Sequence, residues 1–492
     1  MDAGPEIHLI GPVFSQGDIF LTKGGSPAWY HESIRGTGNF YAQFWDPTSR
    51  RTDSRTGNNL RIRTRNSTGT HTANGKQFHT TEGTPSSSSQ QLDSRTPNWA
   101  ALAYDRWGGY MRDRSHGVQP LRFPLPENVS ALEILKRPDP NDIEALRNSK
   151  LSRQADIYIE GDPQNPATLR AYDSWDPENR NEIPITTNHG GNPDAPWLTT
   201  AHFYNGRERK VIHTIDVNME VLRSAITNGD VDLGGGIIYV TPDPVPGDNR
   251  LPWYAGGNRY TQNAVRITNA SRVPTNAQGA LTVATDAPLY TRGNVNNWDD
   301  SNRALLLLAG DSINPLSNSF DDATYDPYNL ANIGAWATNI RDGMPQNNWT
   351  NNGGGREGPN SNASHTTTNA IFMGGEVSSQ PQGHHNYGRY SGGGENWFRY
   401  LENWSNKNHI FNGSMLNMFE SEIATASWDA SNAANTSSAY YSPPTRQWSW
   451  DPRLANIVPP PGFPNFFDIS FFNWSVEQPR NAAGEFDPMG YH

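Results

Sequence analysis

GALTVATDAPLYTRGNVNN (279–297) and RALLLLAGDSINPLSNSF (303–320) are the stretches that decide the fold, and TTTNAIFMGGEV (366–377) repeats their pattern. Each contains short apolar or β-branched runs that end at Gly, Asn or Asp, which is typical of short strands between tight turns. The unit recurs about every 20 residues, apart from a long polar insertion at 319–365, as in chains that stack one coil on the next. We therefore predict a mainly β fold with a parallel β-helix or solenoid-like core, long inserted loops and few short helices.

The rest of the chain divides into four regions around this core. Residues 1–45 hold the first solenoid strands, and 46–204 form a loop-rich insertion with one short helix. Residues 205–425 form the main solenoid region, and 426–492 form a Pro- and aromatic-rich tail that packs on the core. The insertion is identified by its Ser, Thr, Arg, Asn and Gly content over 46–125, which favours long loops.

Local patterns predict particular elements outside the central stretch. Two strands are predicted at 8–22, on either side of a turn at Gly17-Asp18. A helix is predicted over about 141–151, with Asn141 as its N-cap and Glu144 at the distance of a capping box. Further strands are expected at 155–162, 211–217 and 235–241.

The composition is that of a loop-rich chain around a thin, aromatic-rich core. Of the 492 residues 34% are hydrophobic, the mean hydropathy is −0.76, and Gly (45) and Pro (37) are abundant. The 16 Trp residues argue against disorder, and the net charge of −11 disfavours nucleic acid as a partner. The lack of Cys excludes disulfides, thiolate metal sites and Cys nucleophiles. The Arg-rich run at 50–65 is expected to be a solvated loop.

Several motifs occur in a fixed order along the chain. They are GPVFSQGDIFLTKGG (11–25), NDIEALRNSKLSRQADIYI (141–159), FYNGRERKVIHTIDVNMEVL (203–222), the strands quoted above, YSGGGENWFRYLENW (390–404) and YYSPPTRQWSWDP (440–452). Together they resemble the β-solenoid region of PilX-like, type IV pilin-related surface proteins of bacteria. The resemblance implies a cell-surface or pilus-associated role and no known reaction. Members of that group begin with a hydrophobic pilin-like helix, whereas residues 1–12 here are polar and interrupted by Gly and Pro.

The block Gly310-Asp311-Ser312 is similar to the nucleophile motif of GDS-type esterases. A nucleophilic Ser needs an activating base and an oxyanion hole close to it. The matching downstream Asp-x-x-His is missing, since His492 follows Asp487 by five residues. We therefore predict that the block is a structural turn and that Ser312 is not a nucleophile.

Candidate metal ligands lie in polar loops without a recognised spacing. The acidic pairs Asp299/Asp300 and Asp321/Asp322 could contribute to a Ca²⁺ site, but neither an EF-hand nor a Gly-Gly-x-Gly-x-Asp array is present. His71, His79, His384 and His385 lack the spacing of a zinc motif. Solvated loops are favoured at all of these positions, and no cofactor is predicted.

The aromatic residues near 390 allow two interpretations. Tyr387, Tyr390, Trp397 and Tyr400 could be an exposed set that stacks on sugars or contacts a partner protein. Alternatively Trp397, Leu401 and Trp404, at positions i, i+4 and i+7, form the core face of a short helix, which the spacing favours. Glu395 and Arg399 could then pair along that helix.

These features predict a structural or assembly component of a bacterial cell-surface or pilus-like extracellular structure, related to type IV pili or type II secretion. The expected partners are other copies of the chain or pilin-like subunits, with glycans as a further class, and the 46–125 and 319–365 loops are the expected contact regions. No membrane span is predicted, because the longest apolar run, 304–309, falls far short of the ~18 residues required. A glycan-binding adhesin is the alternative. A polysaccharide lyase or hydrolase rests on analogy of fold alone, and no enzymatic activity is predicted.

Overall fold

The computed structural model describes about two thirds of the chain and shows a mainly β protein. Strands hold 40% of the described residues and helices 13%, which confirms the mainly β class and the small number of helices. The described residues are 7–21, 27–42, 45–46, 51–52, 60–63, 70–73, 76–79, 81–82, 93–121, 125–126, 129–208, 210–245, 261–299, 303–326, 340–341, 344–345, 361–377, 394–426, 441–455 and 458–463.

The described strands of the first 150 residues are two to four residues long, and the two longest strands, of 11 and 13 residues, lie in the last third of the chain. In chain order they are β1 (Ile7–Ile10), β2 (Val13–Ser15), β3 (Ile19–Phe20), β4 (Ala28–Tyr30), β5 (Ile34–Gly36), β6 (Phe40–Tyr41), β7 (Trp45–Asp46), β8 (Arg51–Thr52), β9 (Leu60–Arg63), β10 (Thr70–Ala73), β11 (Lys76–His79), β12 (Thr81–Glu82), β13 (Met111–Arg112), β14 (Ile157–Gly161), β15 (Arg170–Tyr172), β16 (Glu182–Ile183), β17 (Thr186–His189), β18 (Asn192–Pro196), β19 (Leu198–Asn205), β20 (Lys210–Asn218), β21 (Ile237–Pro242), β22 (Thr261–Thr268), β23 (Ala280–Thr285), β24 (Leu289–Arg292), β25 (Leu305–Ala309), β26 (Ile313–Leu316), β27 (Ile340–Arg341), β28 (Met344–Pro345), β29 (Thr366–Glu376), β30 (Asn408–Glu420) and β31 (Thr445–Trp450). The described α-helices are α1 (Trp99–Trp107), α2 (Glu144–Ser149) and α3 (Met219–Asn228). Short 3₁₀ turns occur at Arg114–His116, Ala131–Ile134, Pro166–Thr168, Gly394–Asn396 and Pro452–Ala455.

A large mixed sheet of 13 strands is the main structural element of the described residues. As far as the structure describes the chain, its strand order is β12-β9-β4-β1-β31-β30-β29-β25-β23-β21-β14-β15-β16. The ten neighbouring strands from β9 to β14 are parallel. At both ends the parallel run is followed by antiparallel pairing, of β12 with β9 and of β15 with β14. The sheet does not close on itself within the described residues.

A second sheet receives every other strand of the central region. Its described order is β19-β20-β22-β24-β26, with β19 antiparallel and the others parallel. The chain therefore alternates, with β21, β23 and β25 in the large sheet and β22, β24 and β26 in the second one. Leu281 pairs with Leu306 in the first sheet, and Leu289 pairs with Ile313 in the second. Equivalent positions thus recur after 25 and 24 residues in this part of the chain.

The main core lies between the two sheets. Val283 of β23, Leu308 of β25 and Leu289 of β24 belong to one buried hydrophobic cluster there. The other face of the large sheet is also covered, since Leu307 packs with Leu132 in a second cluster. Strands that are buried on both faces are continuously apolar rather than alternating, which explains the four consecutive leucines of β25.

The first strands of the chain differ from the prediction for 8–22. Three strands form there instead of two, and they do not pair with each other: Ile7 pairs with Ala28, Val13 with Ile34 and Ile19 with Phe40, all in parallel. The interval is 21 residues each time. The reason is that the chain bends at 11–12 as well as at 16–18. Each short strand therefore joins a different sheet and pairs with the strand that follows 21 residues later.

The two distant parts of the chain meet in the large sheet. β1 pairs in parallel with β31, with Ile7 opposite Arg446 and Ile10 opposite Ser449. The sheet also includes β14 and β31, so it extends beyond the predicted 205–425 region on both sides. The strands predicted at 155–162, 211–217 and 235–241 are confirmed as β14, β20 and β21.

The helix predicted over 141–151 is shorter than expected. It begins at Glu144 with Ile143 at the N-cap position and no side-chain cap. The main-chain and side-chain N–H groups of Asn141 donate instead to Oδ1 of Asp139. This local turn competes with helix formation and delays the helix start by three residues. None of the described helices has the length and hydrophobicity needed to cross a bilayer.

Candidate binding cleft

The aromatic set predicted to bind glycans or a partner includes two core residues. Trp397 is 4% exposed and Tyr400 is fully buried, and the Tyr400 hydroxyl lies 2.6 Å from Nδ1 of His409. Neither ring can offer a face to a sugar, because neighbouring side chains already cover it. This corrects their assignment as binding residues. Tyr387 and Tyr390 lie outside the described residues, and their role stays a prediction.

The segment that holds Trp397 is not a helix. After a short 3₁₀ turn, the chain runs along β26, where the main-chain N–H of Arg399 donates to the carbonyl of Ile313 over 2.9 Å. The Arg399 guanidinium forms an ion pair with Glu208, and the side chain of Glu395, its expected partner, lies outside the described part of the chain. The core interpretation is confirmed, since Trp397, Leu401 and Trp404 are all buried. The helical one is wrong, because only the 3₁₀ turn at Gly394–Asn396 is helical and the chain after it bonds to β26 through Arg399.

The Gly310-Asp311-Ser312 block lies in the bend between β25 and β26, as predicted for a turn. A Cβ at Gly310 would lie 2.8 Å from Cβ of Leu289, so only Gly fits. Asp311 is buried and accepts hydrogen bonds from three successive main-chain N–H groups, at 422, 423 and 424. Burial raises the Asp311 pKa, and these hydrogen bonds oppose that shift. Ser312 is fully buried, and its Oγ lies 3.0 Å from Nδ2 of Asn314.

The acidic pairs considered for Ca²⁺ have other partners where the structure describes them. Asp322 accepts a 2.6 Å hydrogen bond from Nη1 of Arg266, and Asp321 accepts from the Thr324 hydroxyl over 2.8 Å. The described ranges contain no group of three or more His, Asp or Glu that could hold a metal ion. Asp300, His384, His385 and the side chains of His71 and His79 lie outside the described part. The expectation that no cofactor binds stays a prediction.

Described residues form a cleft of about 250 Å³. It lies where the last turns of α3 approach the loops that follow β22 and β24. These loops run over 269–276 and 293–299. The lining residues are Arg223, Ile226, Thr227, Arg272, Val273, Pro274, Thr275, Asn296, Trp298 and Ala304.

Trp298 is the prominent aromatic group of this cleft. It is 49% exposed, whereas Trp107, Trp197 and Trp404 are fully buried. Its ring is covered on one side by the guanidinium of Arg272, whose Cζ lies 4.0 Å from the ring centroid. An arginine over a tryptophan face is attracted by the negative potential of the ring. The indole and the guanidinium therefore form one rigid, half-exposed unit.

The backbone that presents Trp298 is fixed from both sides. The main-chain N–H of Asn296 donates to the carbonyl of Ala270 over 2.7 Å, and that of Asn297 donates to Ser271 over 2.8 Å. Asn296 has a φ of 51°, a left-handed conformation that Asn tolerates better than most residues. Its side chain is also buried, with Nδ2 donating to the carbonyls of Ala304 and Asn369. The loop is thus preorganised rather than free to collapse.

Arg223 supplies a second positive charge from α3. Its Nε is buried and has no hydrogen-bond partner. Within the described residues neither Arg223 nor Arg272 forms an ion pair, whereas the buried Arg266 and Arg399 are both paired with carboxylates. The cleft therefore combines the exposed surface of an indole with two guanidinium groups that have no ion pair among the described residues.

This cleft was not predicted from the sequence. Trp298 stands in the polar loop GNVNNWDD, and an isolated Trp in such a loop is the one local signal that could have indicated exposure. Arg223 and Arg272 are 49 positions apart in the chain, and only the packing of α3 against the loops brings them to the same site.

Comparisons with protein-family models, with curated proteins and with solved structures found no match to this chain.

Proposed function

We propose that the chain is a β-solenoid and that it serves as a structural or assembly component of a bacterial cell-surface or pilus-like extracellular structure. The alternation of strands between two sheets supports this architecture, because each pair of strands behaves as one coil of a stack. With parallel strands about 4.8 Å apart, the ten described parallel strands span roughly 43 Å. Such a rod is suited to spacing and presentation.

One observation carries the structural role: the buried ionisable groups bond to neighbouring segments of the stack. Asp311 holds the main chain at 422–424, and Glu402 accepts two hydrogen bonds from Ser317. Arg266 on β22 binds Asp216 on β20 and also Asp322 in the loop after β26. These groups link segments of the stack, and their burial keeps them out of reach of a substrate.

The ends of the stack support association through its sides. Both ends of the described parallel run continue into antiparallel strands, as in capped repeat proteins. The outermost strands, β12 and β16, are each two residues long, and short edge strands discourage end-to-end sheet pairing. Copies of the chain, or pilin-like subunits, are therefore expected to bind along the sides and loops of the rod.

Antibody labelling of intact cells tests the proposed location. We expect labelling without permeabilisation, together with a cytosolic marker that stays unlabelled in the same cells. Labelling that requires permeabilisation would contradict a surface role.

Glycan binding is the second candidate function, and the half-exposed Trp298 favours it. Flat aromatic faces bind the C–H side of sugar rings, and large exposed aromatic groups often mark binding sites. A polysaccharide lyase or hydrolase has less support, because the described lining of the cleft includes no Asp, Glu or His. Glycosidases ordinarily need a pair of carboxyl groups at the scissile bond.

A further inference from the structure

We infer that the Trp298 cleft binds an acidic sugar unit of a polysaccharide, with Arg223 and Arg272 holding its anionic group and Trp298 contacting its ring. This inference rests on the glycan-binding function proposed above and adds the chemical class of the ligand. The anionic group is a carboxylate or a sulfate ester, since both present oxygens that match a guanidinium fork.

The size of the cleft limits the ligand. At about 250 Å³ it is slightly smaller than the ~300–1,000 Å³ of sites that enclose drug-sized molecules. A single sugar unit, with the polymer continuing into solvent on both sides, fits this volume better than a longer enclosed segment.

The charges of the cleft select for an anion. The chain carries a net charge of −11, and Arg266 and Arg399 are neutralised by carboxylates. Arg223 and Arg272 form no ion pair within the described part of the chain. Both arginines line the cleft, and an anionic oxygen placed between them would offset both charges.

The geometry is prepared before binding. Arg272 is held over the Trp298 ring at 4.0 Å, and main-chain hydrogen bonds to Ala270 and Ser271 hold the Trp298 loop. Groups that are already ordered lose less conformational freedom when a ligand binds. The exposed part of the indole then takes the apolar face of the sugar while Arg272 stays beside it to bind the acid.

Calorimetric titration of the full chain tests the inference with three oligosaccharides of equal length: oligogalacturonate, a sulfated galactan and a neutral galactan. We expect at least one acidic oligosaccharide to bind about tenfold or more tightly than the neutral one, with affinity that falls as salt is raised. The preferred oligosaccharide identifies the anionic group as a carboxylate or a sulfate.

Three variants and a control locate the site. Arg272→Ala and Arg223→Gln should each lower the affinity for the acidic ligand about tenfold, and Arg272→Lys should retain part of it, because it keeps the charge but not the fork. Arg114→Ala, an exposed arginine outside the cleft, should change nothing. Circular dichroism and the unfolding midpoint of each variant should match the wild type, since Arg272 is exposed and neither arginine forms an ion pair with a described residue.

The possible outcomes separate this inference from the function on which it rests. If neutral and acidic oligosaccharides bind equally and Trp298→Ala abolishes both, glycan binding stands and the acidic class is wrong. If none of the three binds, or if Trp298→Ala and Arg272→Ala leave binding unchanged, both the site and its proposed ligand are wrong.

Discussion

Glu402 shows at the scale of one residue how this chain uses a buried carboxyl group. Its Oε2 accepts a hydrogen bond from the main-chain N–H of Ser317, and its Oε1 accepts one from the Ser317 hydroxyl, both over 2.7 Å. Burial raises the Glu402 pKa to about 7, against the opposing effect of these hydrogen bonds. The carboxyl group thus links the 397–404 segment to Ser317 at the end of β26. Its pKa is raised because this link is buried.

This displacement predicts a pH dependence that Glu402→Gln removes. Between about pH 4.5 and pH 7 the folded chain retains a proton that the unfolded chain has lost, so the contribution of Glu402 to stability falls as the pH rises through this window. We expect the free energy of unfolding of the wild type to fall by up to about 3 kcal/mol relative to the variant from pH 4.5 to 8. Urea unfolding of both proteins at several pH values measures it. Parallel pH profiles would show that Glu402 titrates normally.

His409 makes stability depend on pH in the direction opposite to Glu402. It is fully buried, and burial lowers its pKa to about 3. Below about pH 6.5 the unfolded chain takes up a proton here that the folded chain refuses, so this contribution falls as the pH falls. In the Glu402→Gln variant the remaining profile should therefore decline on the acidic side. A rise in stability on acidification of that variant would contradict the neutral state of His409.

The bend between β25 and β26 shows how one structural element accounts for three residues that are similar to a catalytic motif. The same three residues that are similar to an esterase motif are each explained by the turn: Gly310 by lack of space, Asp311 by three main-chain donors and Ser312 by Asn314. The hydrogen bonds of Asp311 also attach the 421–424 segment to the sheet. The bend therefore holds two elements together.

We predict that Asp311→Ala destabilises the chain far more than Ser312→Ala. Loss of Asp311 leaves three N–H groups without their acceptor, which costs about 3 kcal/mol or more, whereas loss of the Ser312 hydroxyl removes one hydrogen bond worth about 1 kcal/mol. Chemical denaturation of both variants gives the comparison. Equal effects would contradict the anchoring role of Asp311, and labelling of Ser312 by a fluorophosphonate probe would overturn its assignment as a structural residue.

The elements that could be predicted from sequence are those with local causes. β14, β20, β21, β23 and β25 follow from short apolar runs bounded by turn residues. The path of the 397–404 segment could not be predicted, because it depends on a hydrogen bond between Arg399 and the distant Ile313. The start of α2 was missed for a local reason, since the Asp139 turn competes with the Asn141 cap.

At the scale of the whole molecule, the pairing of β1 with β31 joins sequence-distant strands into one sheet. An intrachain disulfide tests it, because the chain has no Cys of its own. His8→Cys with Gln447→Cys places the two thiols at paired positions of β1 and β31. We expect the bond to form within one chain under oxidation and to stabilise the fold by about 4 kcal/mol, since it closes a very long loop.

Each single Cys variant is the control for that experiment. Gel electrophoresis without reductant and thermal unfolding with and without reductant give the readout. The pairing of β1 with β31 would be contradicted if the thiols of the double variant stayed reduced. It would also be contradicted if they linked only separate chains.

The arrangement of the whole molecule could be predicted only in part from the sequence. The mainly β class and the recurring coil follow from composition and spacing, but the pairing of Ile7 with Arg446 leaves no local trace in either strand. The same holds for the cleft, where Arg223 and Trp298 come from separate elements. The spacing of Trp397, Leu401 and Trp404 favoured a core role, and their burial confirms it, but it did not reveal which strands they pack against.

Electron cryomicroscopy of the protein in its native preparation, at physiological salt, tests whether the chain is a subunit of a larger assembly. We predict a repeated assembly of elongated β-solenoid subunits in which neighbours contact along their sides and bury well above about 1,000 Å². A chain that remains a free monomer under all such conditions, and that turns over a polysaccharide instead, would contradict the structural role.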